Sequence, residues 1–287
     1  MPANRRLSAS ECPVCGNSSA NRILFELTRP VIKCDACGLV YAAPRDTAIQ
    51  GQDFNESYYR QGIYADYLSD AGAIRKNAQR TLGELENLVE GRALLDVGCA
   101  TGFFLDAARS RGWTVRGLDV SGYAAEYARR ELHLNVTSGS IESFADNSSK
   151  FDVVTLWDTI EHLGRPDLAL SNIRRLLHPQ GMLVLSTGDY GSMLRRLTGK
   201  RWRLFADPTH NFFFEESTLK RLLDQTGYEP VHLTRRGKWV TLSMILHQSP
   251  VPFRQVAETW FNALHWNPAI YVNLYDVMTV FARPRRD

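Results

Sequence analysis

The sequence predicts an α/β protein: a doubly wound, mostly parallel sheet of seven strands, with a small cysteine-rich module in front of it. Two observations point to this fold class. From Ala93 onward, short apolar runs alternate with helical segments, as in parallel sheets whose strands are joined by helices. Before Ala93, two closely spaced pairs of cysteines stand outside this alternation. At 287 residues and 44% hydrophobic, the chain is long enough to bury one large core.

The expected organisation has three parts: the cysteine module at 1–45, a helical linker at 46–90 and the α/β domain at 91–287. In the linker, the segment GAIRKNAQRTLGELENLV has apolar residues at helical spacing. In the domain, helices are expected between successive strands. The expected strands are, in chain order, ALLDV, WTVRGLDV, NVTSG, FDVVTLW, GMLVLST, YEPVHLTRRG and DVMTVFARP.

Two long stretches interrupt the alternation of strands and helices. Residues 188–214 are aromatic and basic, and residues 239–275 are mostly apolar. Loops of this length in a compact α/β domain usually carry function. We therefore predict that both are substrate-side insertions that act as lids or as walls of the acceptor site.

The four N-terminal cysteines have the spacing of a metal site. Cys12 and Cys15 form one C-x2-C pair, Cys34 and Cys37 form another, and eighteen residues separate the pairs. This pattern predicts a tetrahedral zinc site, which would be structural because four thiolates leave no position for water. The apolar stretches ILFEL and PVIK between the pairs are expected to form a hairpin. Two disulfides are the alternative, and they require an oxidising compartment.

The charge and hydropathy of the chain limit its partners. With 34 basic and 31 acidic residues, the net charge is only +3, so no nucleic-acid partner is expected from the composition. No apolar run approaches the roughly 20 residues that a membrane-spanning helix needs. The N-terminal MPANRRLSASECP has no apolar stretch after its basic residues, so no secretory signal is expected. These features predict a cytoplasmic protein.

The stretch LLDVGCATGFF, residues 94–104, is a strand that ends in a glycine turn of the kind that holds nucleotide-like ligands. The turn lacks the middle glycine of a dinucleotide-binding fingerprint, and it lacks the lysine of a P-loop. An aspartate, Asp96, lies two residues ahead of the first glycine. An acidic residue there suits a cationic ligand with an amino-acid end.

At these residues the chain resembles the class I S-adenosylmethionine-dependent methyltransferases, which have a Rossmann-like fold. The first motif of that family has the form D-x-G-C-G-x-G, and here Ala100 replaces the middle one of its three glycines. The resemblance extends over residues 75–287, with five motifs in the family's order. Small-molecule enzymes of sugar and natural-product pathways that carry an N-terminal cysteine ribbon are the most similar subgroup. The WDTIEHL stretch also resembles ubiquinone-pathway O-methyltransferases.

The resemblance implies S-adenosylmethionine as cofactor and assigns a set of residues to it. Asp119, at the end of the second strand, would accept both ribose hydroxyls, and Ser140 to Glu142 would contact the adenine ring. Ser140 stands where the family usually has an aspartate. The implied cofactor-binding residues are Asp96, Gly98, Cys99, Ala100, Gly102, Asp119, Val120, Ser140, Ile141, Glu142 and Trp157. Cys99 itself is expected to be a small packing residue.

The candidate catalytic residues follow the fourth strand, because ligands of such sheets bind at the carboxyl ends of strands. Asp158, Glu161 and His162 are spaced i, i+3 and i+4, which places them on one side of a helical turn. Three alternatives stay open: His162 is a general base, the triplet holds a divalent metal as a similar E-x-x-E-H triplet does in the ubiquinone-pathway enzymes, or the group is a hydrogen-bond network. His210, in the second half of the first insertion, is another candidate base.

The predicted reaction is methyl transfer to a small molecule, with a hydroxyl acceptor ahead of carbon or nitrogen acceptors. A basic cluster in the first insertion is either a solvated face, a clamp for a phosphorylated or acidic acceptor, or a contact with anionic lipid headgroups. Tyrosines before the domain cap the cofactor, line the substrate site or pack between helices. The basic cluster is Arg195, Arg196, Lys200, Arg201 and Arg203, and the tyrosines are Tyr58, Tyr59, Tyr64 and Tyr67.

An RNA-modifying methyltransferase that binds RNA through its ribbon is the alternative from another class. The ribbon contains few basic residues for that role, namely Arg22, Arg29 and Lys33. This is a poor electrostatic footprint for a polyanion. A scaffold that binds the cofactor without catalysis is the other alternative.

Overall fold

The computed structural model describes most of the chain: residues 11–17, 21–43, 54, 56–61, 67–144, 150–247 and 267–285. In chain order the strands are β1 (Asn21–Glu26), β2 (Pro30–Cys34), β3 (Val40–Ala42), β4 (Ala93–Val97), β5 (Thr114–Asp119), β6 (Val136–Ser138), β7 (Phe151–Trp157), β8 (Leu177–Gly188), β9 (Phe212–Phe213), β10 (Tyr228–Thr234), β11 (Lys238–Thr241), β12 (Ala269–Val272) and β13 (Val277–Pro284). The helices are α1 (Glu56–Gln61), α2 (Ala71–Leu88), α3 (Phe103–Ser110), α4 (Gly122–Glu131), α5 (Pro166–Leu176), α6 (Met193–Thr198), α7 (Glu216–Gln225) and α8 (Leu242–His247), with short 3-10 turns at Gly199–Arg201 and Arg203–Phe205.

The largest sheet has seven strands in the order β10-β13-β8-β7-β4-β5-β6. β4 runs parallel to both β5 and β7, and β5 runs parallel to β6. The last strand, β13, is antiparallel to β8 and to β10. Each strand predicted from the sequence is present, so the predicted Rossmann-like, mostly parallel α/β fold is confirmed.

The chain divides into two compact units that do not follow the predicted domain order. The first, here called the ribbon unit, comprises Met1–Ile49, Leu156–Arg235 and Tyr275–Asp287. The second, here called the glycine-turn unit, comprises Gln50–Thr155 and Arg236–Leu274. The division into module, linker and catalytic domain stays a prediction.

In the ribbon unit, the cysteine module shares a sheet with the first insertion. β1 and β2 form the predicted antiparallel hairpin, and β3 joins β2 on one side and β9 on the other. The module is too small to build a core alone, and the insertion supplies large apolar side chains to it. The shared core consists of Val31, Val40, Tyr190, Trp202, Phe205 and Phe213.

In the glycine-turn unit, α2 confirms the predicted linker helix and buries Ala78, Leu82 and Leu85 on one face. Part of the second insertion forms an antiparallel pair, β11 with β12. Asn77 of α2 binds this pair, because its amide donates to the Trp239 carbonyl at 2.8 Å. Residues 248–266 of the insertion lie outside the described residues. No helix in the described part of the chain is long and apolar enough to cross a bilayer.

Candidate functional site

The glycine turn between β4 and α3 has an unusual backbone. Gly98 and Gly102 have φ of 74° and 87°, and Ala100 between them has φ of 48°. A left-handed conformation costs a residue with a Cβ about 1–2 kcal/mol, so Ala100 is strained where glycine would not be. Gly102 also lies close to α4, where an added Cβ would meet the Leu134 side chain at 2.6 Å. The turn therefore needs its two glycines for conformation and for close packing.

Asp119, at the end of β5, holds the turn in place. Its Oδ2 accepts a hydrogen bond from the Ala100 amide at 2.7 Å, and its Oδ1 accepts one from the Ser121 amide at 2.8 Å. Ser121 in turn caps α4 by accepting from the Ala124 amide. The Asp119 carbonyl accepts from the Gly139 amide at 2.8 Å, which brings the turn that contains Ser140 next to β5.

The remaining residues assigned to the cofactor differ in exposure. Ile141 and Cys99 are buried, Val120 and Trp157 are half-buried, and Glu142 is exposed. Cys99 packs against Gly117, where an added Cβ would lie 2.7 Å from its sulfur. The structure thus brings Asp96, the glycine turn, Asp119 and the Ser140 turn together in the glycine-turn unit, whereas Trp157 belongs to the ribbon unit.

The two aspartates of this site are buried and are held by neutral donors. Asp96 is 1% exposed and accepts a hydrogen bond from the Thr155 hydroxyl at 2.6 Å. Burial raises the pKa of Asp96 to about 8 and the pKa of Asp119 to about 6. A cationic ligand would relieve the cost of ionising them. The ammonium and sulfonium groups of S-adenosylmethionine fit this arrangement, whereas a second anion would not.

The tyrosines that precede the domain form an aromatic cluster. Tyr67 stacks on Phe103 at 6.1 Å between ring centroids, and Tyr59 meets both Tyr67 and Tyr58 edge to face. Tyr64 lies outside the described residues. These contacts are those of aromatic packing. Phe103 opens α3 directly after the glycine turn, so the cluster packs against the start of that helix.

The four N-terminal cysteines converge as the zinc prediction requires. Their sulfur atoms all lie within 4.8 Å of one another, and all four are free thiols. Cys12 and Cys37 are 3.4 Å apart, and Cys15 and Cys34 are 3.5 Å apart. Zinc–sulfur bonds of about 2.3 Å in a tetrahedron place sulfurs about 3.8 Å apart. The set therefore fits a zinc ion, with Gly16 and Gly38 turning each knuckle at φ of 70° and 82°.

The ribbon unit also contains a cluster of His162, Asp207, Thr209 and His210, here called the histidine cluster, in which Asp207 and His210 are buried and His162 and Thr209 are half-buried. The two imidazole rings lie 4.6 Å apart between centroids. His210 Nδ1 is 2.7 Å from the Leu204 carbonyl, and its Nε2 is 3.8 Å from Asp207 Oδ2. Thr209 donates its hydroxyl proton to Asp207 Oδ1 and lies 2.9 Å from His162 Nδ1.

These contacts fix the tautomers of both histidines. Because a carbonyl oxygen only accepts, His210 Nδ1 must carry a proton and Nε2 the lone pair. The Thr209 proton is given to Asp207, so Thr209 accepts from His162 Nδ1. Burial lowers the pKa of His210, and burial with the neighbouring His210 lowers the pKa of His162 to about 4. Burial acts to raise the pKa of Asp207, but the two histidines and Thr209 lower it by more. The pKa of Asp207 therefore lies below its ordinary value. The cluster is two neutral imidazoles beside a carboxylate.

The triplet after β7 is arranged differently from the sequence expectation. Residues 158–165 form a bend and one turn closed by the His162 amide on the Thr159 carbonyl, and Asp158 has φ of 47°. The Asp158 carboxylate accepts from the Ser186 hydroxyl at 2.7 Å. Among the described residues, His162 lies in a group of potential metal ligands with Asp207 and His210, whose ligand atoms are within 4.8 Å of one another. Asp158 and Glu161 do not belong to that group. The triplet therefore does not fit a shared metal ion.

Asn211 connects the post-β7 turn to the loop of His210. It is fully buried, its amide N–H donates to the Glu161 carbonyl at 2.8 Å, and its side chain donates to the His162 carbonyl at 3.1 Å. A small cavity lies beside this joint, lined by Glu161, Thr187, Trp202 and His210 among others. Of the two histidines of the cluster, His210 lines that cavity.

The basic cluster of the first insertion is only partly available to a ligand. Arg203 pairs with Asp276 at 3.0 Å, Arg195 lies over the Tyr190 ring, and Lys200 lies over the Phe25 ring. Arg196 and Arg201 are exposed. A clamp built from all five side chains is therefore not what the structure presents.

Sequence reasoning missed Asp207, Thr209 and Asn211. The signal that could have found them is the polar run DPTHN between aromatic residues, since polar side chains in an apolar stretch need buried partners. His210 was singled out from the same run, but its partners Leu204 and His162 could not be identified from spacing.

Comparisons with known proteins find methyltransferases. Residues 62–233 match the profile of a family described as "Methyltransferase domain". The chain is 28% identical over 169 residues to a ubiquinone biosynthesis O-methyltransferase of Coxiella burnetii, covering 52% of this chain and 72% of the relative. It is 31% identical over 158 residues to the protein of the same name from Thiobacillus denitrificans, covering 50% of this chain and 67% of the relative.

A solved structure supports the fold. The chain is similar to magnesium protoporphyrin IX methyltransferase of Synechocystis PCC 6803 with bound SAH, with a TM-score of 0.52 and 14% identity. The match covers 80% of this chain and 97% of that one. At this identity the likeness concerns the fold alone.

Proposed function

The chain belongs to the family of methyltransferase domains, and on that premise we propose that it transfers the methyl group of S-adenosylmethionine to a hydroxyl of a small molecule. The cofactor supplies the methyl on a sulfonium sulfur, which the acceptor oxygen displaces in line. The chain's own residues must orient the two reactants and take the acceptor's proton. The histidine cluster carries the proposal, because it is a buried base with a carboxylate beside it.

In this proposal the glycine-turn unit binds the cofactor. Asp119 accepts the ribose hydroxyls, and Asp96 would ionise beside the cationic amino-acid end, which lowers its raised pKa again. In the described part of the chain these buried carboxylates are held by the Thr155 hydroxyl and backbone amides, which supports this role, since a cation would offset their desolvation. The other residues of the glycine-turn unit that the resemblance assigns to the cofactor are proposed to line the same site.

The histidine cluster is proposed to take the proton. His210 Nε2 carries the lone pair because Nδ1 donates to Leu204, and the hydroxyl proton moves to that Nε2 as the oxygen–methyl bond forms. The imidazolium that results faces Asp207 at 3.8 Å, and the carboxylate stabilises its charge. His162 is the second candidate for this step.

The acceptor is proposed to be a sugar, lipid-linked or natural-product intermediate with a hydroxyl. The similarity to ubiquinone biosynthesis O-methyltransferases supports a hydroxyl on a lipid-linked ring. Exposed Met193 and Leu197, at 67% and 77%, lie beside exposed Arg196 and Arg201. Such a face suits an acidic acceptor or the surface of an anionic membrane.

The proposal is tested by measuring S-adenosylhomocysteine release with a panel of acceptors. The panel contains a catechol with an isoprenoid tail, a nucleotide-linked sugar and a short RNA. Turnover with either small hydroxyl compound, and a methyl ether in the product, is the expected result. Methylation of the RNA, or of a carbon or nitrogen atom instead of an oxygen, would contradict it.

A further inference from the structure

Arg29 of the ribbon reaches the loop that carries His210. It lies in the three-residue turn between β1 and β2, and its guanidinium makes three hydrogen bonds to that loop. Nη1 donates to Asn211 Oδ1 at 2.9 Å, and Nη2 donates to the carbonyls of Pro208 and His210 at 2.8 and 2.9 Å. The two carbonyls flank Thr209, so one planar group sets the curvature of the loop across the histidine cluster.

Asn211 connects Arg29 to the backbone of His162. Its side-chain oxygen accepts from Arg29 and its carbonyl accepts from the Ala42 amide at 2.9 Å, so the ribbon holds it at two points. Its own donors bind the carbonyls of Glu161 and His162. A single buried residue therefore connects the ribbon to both histidine-bearing segments.

Both ribbon residues that contact Asn211 are close in the sequence to metal ligands. Arg29 immediately precedes β2, which ends at Cys34, and β3 with Ala42 begins three residues after Cys37. β3 also pairs with β9, directly after Asn211, through Tyr41 with Phe212 and Val40 with Phe213. The zinc knuckle thus fixes the hairpin and β3 relative to each other, because Cys34 and Cys37 lie at their junction.

We propose that Arg29 is a positioning residue for the histidine cluster and that the metal-loaded ribbon holds the acceptor-side loop in its reactive shape. The inference rests on the proposed function, because it gives the ribbon a role in the step assigned to His210. Proton removal by His210 would then depend on the ribbon, whereas cofactor affinity would not. Loss of zinc would open the same loop as loss of the arginine.

The test measures the loop directly and needs no acceptor. Amide hydrogen exchange is followed in the full zinc-loaded chain for Arg29→Ala, Arg29→Lys and the control Arg22→Ala, which removes an exposed arginine from the same hairpin. We expect exchange of residues 207–213 to rise at least about tenfold in Arg29→Ala, because three charge-assisted hydrogen bonds are lost. Lysine should give a partial effect, since an ammonium cannot reproduce the planar fork. The control should match the wild type.

Two further readouts separate positioning from general stability. In protein with ¹⁵N-labelled histidine, the ring nitrogens of His210 should lose their single tautomer in Arg29→Ala and regain it when guanidinium ions are added at low millimolar concentration. Chelator-treated protein should show the same opening of residues 207–213, while residues 98–102 stay protected. Affinity for S-adenosylhomocysteine should stay within about twofold throughout.

Three results would overturn the proposal. The first is wild-type protection of residues 207–213 in Arg29→Ala or after zinc removal. The second is a loss of protection spread over the whole chain, which would make Arg29 an ordinary stabilising residue. The third is a His210 tautomer that does not respond to the arginine or to guanidinium. A failure to find any methyl acceptor would instead concern the proposed function and would leave these readouts unchanged.

Discussion

The glycine turn and the histidine cluster are both buried polar sites, but they are built over very different distances along the chain. The glycine turn is local: Asp96, the turn itself and Asp119 lie within one strand–helix–strand unit. The histidine cluster is not, because it joins the turn after β7 to a loop some fifty residues later and to a ribbon arginine 182 positions before Asn211.

The difference explains which of the two sites can be recognised from a sequence. A turn that must meet a ligand with its own backbone fixes glycines at short spacing, and these are visible as a motif. A cluster that depends on long-range hydrogen bonds has no fixed spacing to recognise. It also depends on other elements for its geometry, so its stability follows that of the ribbon.

The largest expected effect comes from removing a zinc ligand, which should disrupt the ribbon and leave the glycine-turn unit able to bind cofactor. Cys34→Ser should reduce zinc content from about one ion per chain to none and make residues 11–43 sensitive to proteolysis, since structural zinc contributes about 10–16 kcal/mol of apparent folding free energy. Affinity for S-adenosylhomocysteine should remain, because Asp96 and Asp119 lie in the other unit. Ala36→Ser, at an exposed position between Cys34 and Cys37 that is not a metal ligand, is the control. Loss of cofactor binding with the fold intact would mean that the ribbon contributes directly to the cofactor site.

The next effect concerns proton removal. His162→Ala and His210→Ala should both retain cofactor binding, and at least one should lose more than about a hundredfold in turnover, within the roughly 10²–10⁴-fold typical of a general base. His232→Ala removes an exposed histidine of the same unit and should leave turnover near that of the wild type. Near-normal turnover in both cluster variants would mean that the acceptor needs placement only.

The pH dependence of turnover also tests whether a buried histidine is the base. A base must be neutral to take a proton, and burial lowers the pKa of both histidines below the ordinary value of 6.5. The rate should therefore rise with pH along a limb that lies below pH 6.5 and stay level above it. The limb should vanish in the variant that loses turnover. A limb centred above pH 7 would contradict a buried histidine base.

The smallest expected effect concerns the strained residue of the glycine turn. Ala100→Gly should raise the free energy of unfolding by about 0.5–1 kcal/mol, because glycine adopts φ of 48° without the Cβ contact. Ala125→Gly, in the buried helical face of α4, should lower it by about 1 kcal/mol or more. Denaturant unfolding measures both. A destabilised Ala100→Gly variant would show that the methyl group contributes packing that outweighs the strain.

Much of the fold followed from sequence patterns, because strands and helices alternate with clear hydrophobic periodicity. The cysteine spacing likewise predicted both the sulfur cluster and the hairpin between its two pairs. The antiparallel pairing of β3 with β9 could not be predicted, since β9 has only two residues and lies inside an insertion. For the same reason the role of Asn211 was missed, because it follows from buried contacts with Arg29 and with the turn of His162, which are distant in the sequence.

The most direct test of the account is calorimetric titration with S-adenosylhomocysteine of the wild type, Asp119→Ala and His210→Ala side by side. The account predicts that the wild type binds, that Asp119→Ala weakens binding by about 1–3 kcal/mol through lost charge-assisted hydrogen bonds, and that His210→Ala stays within about twofold of the wild type. Unchanged affinity in Asp119→Ala, or an equal loss in both variants, would contradict the division of cofactor binding and proton removal between the two units.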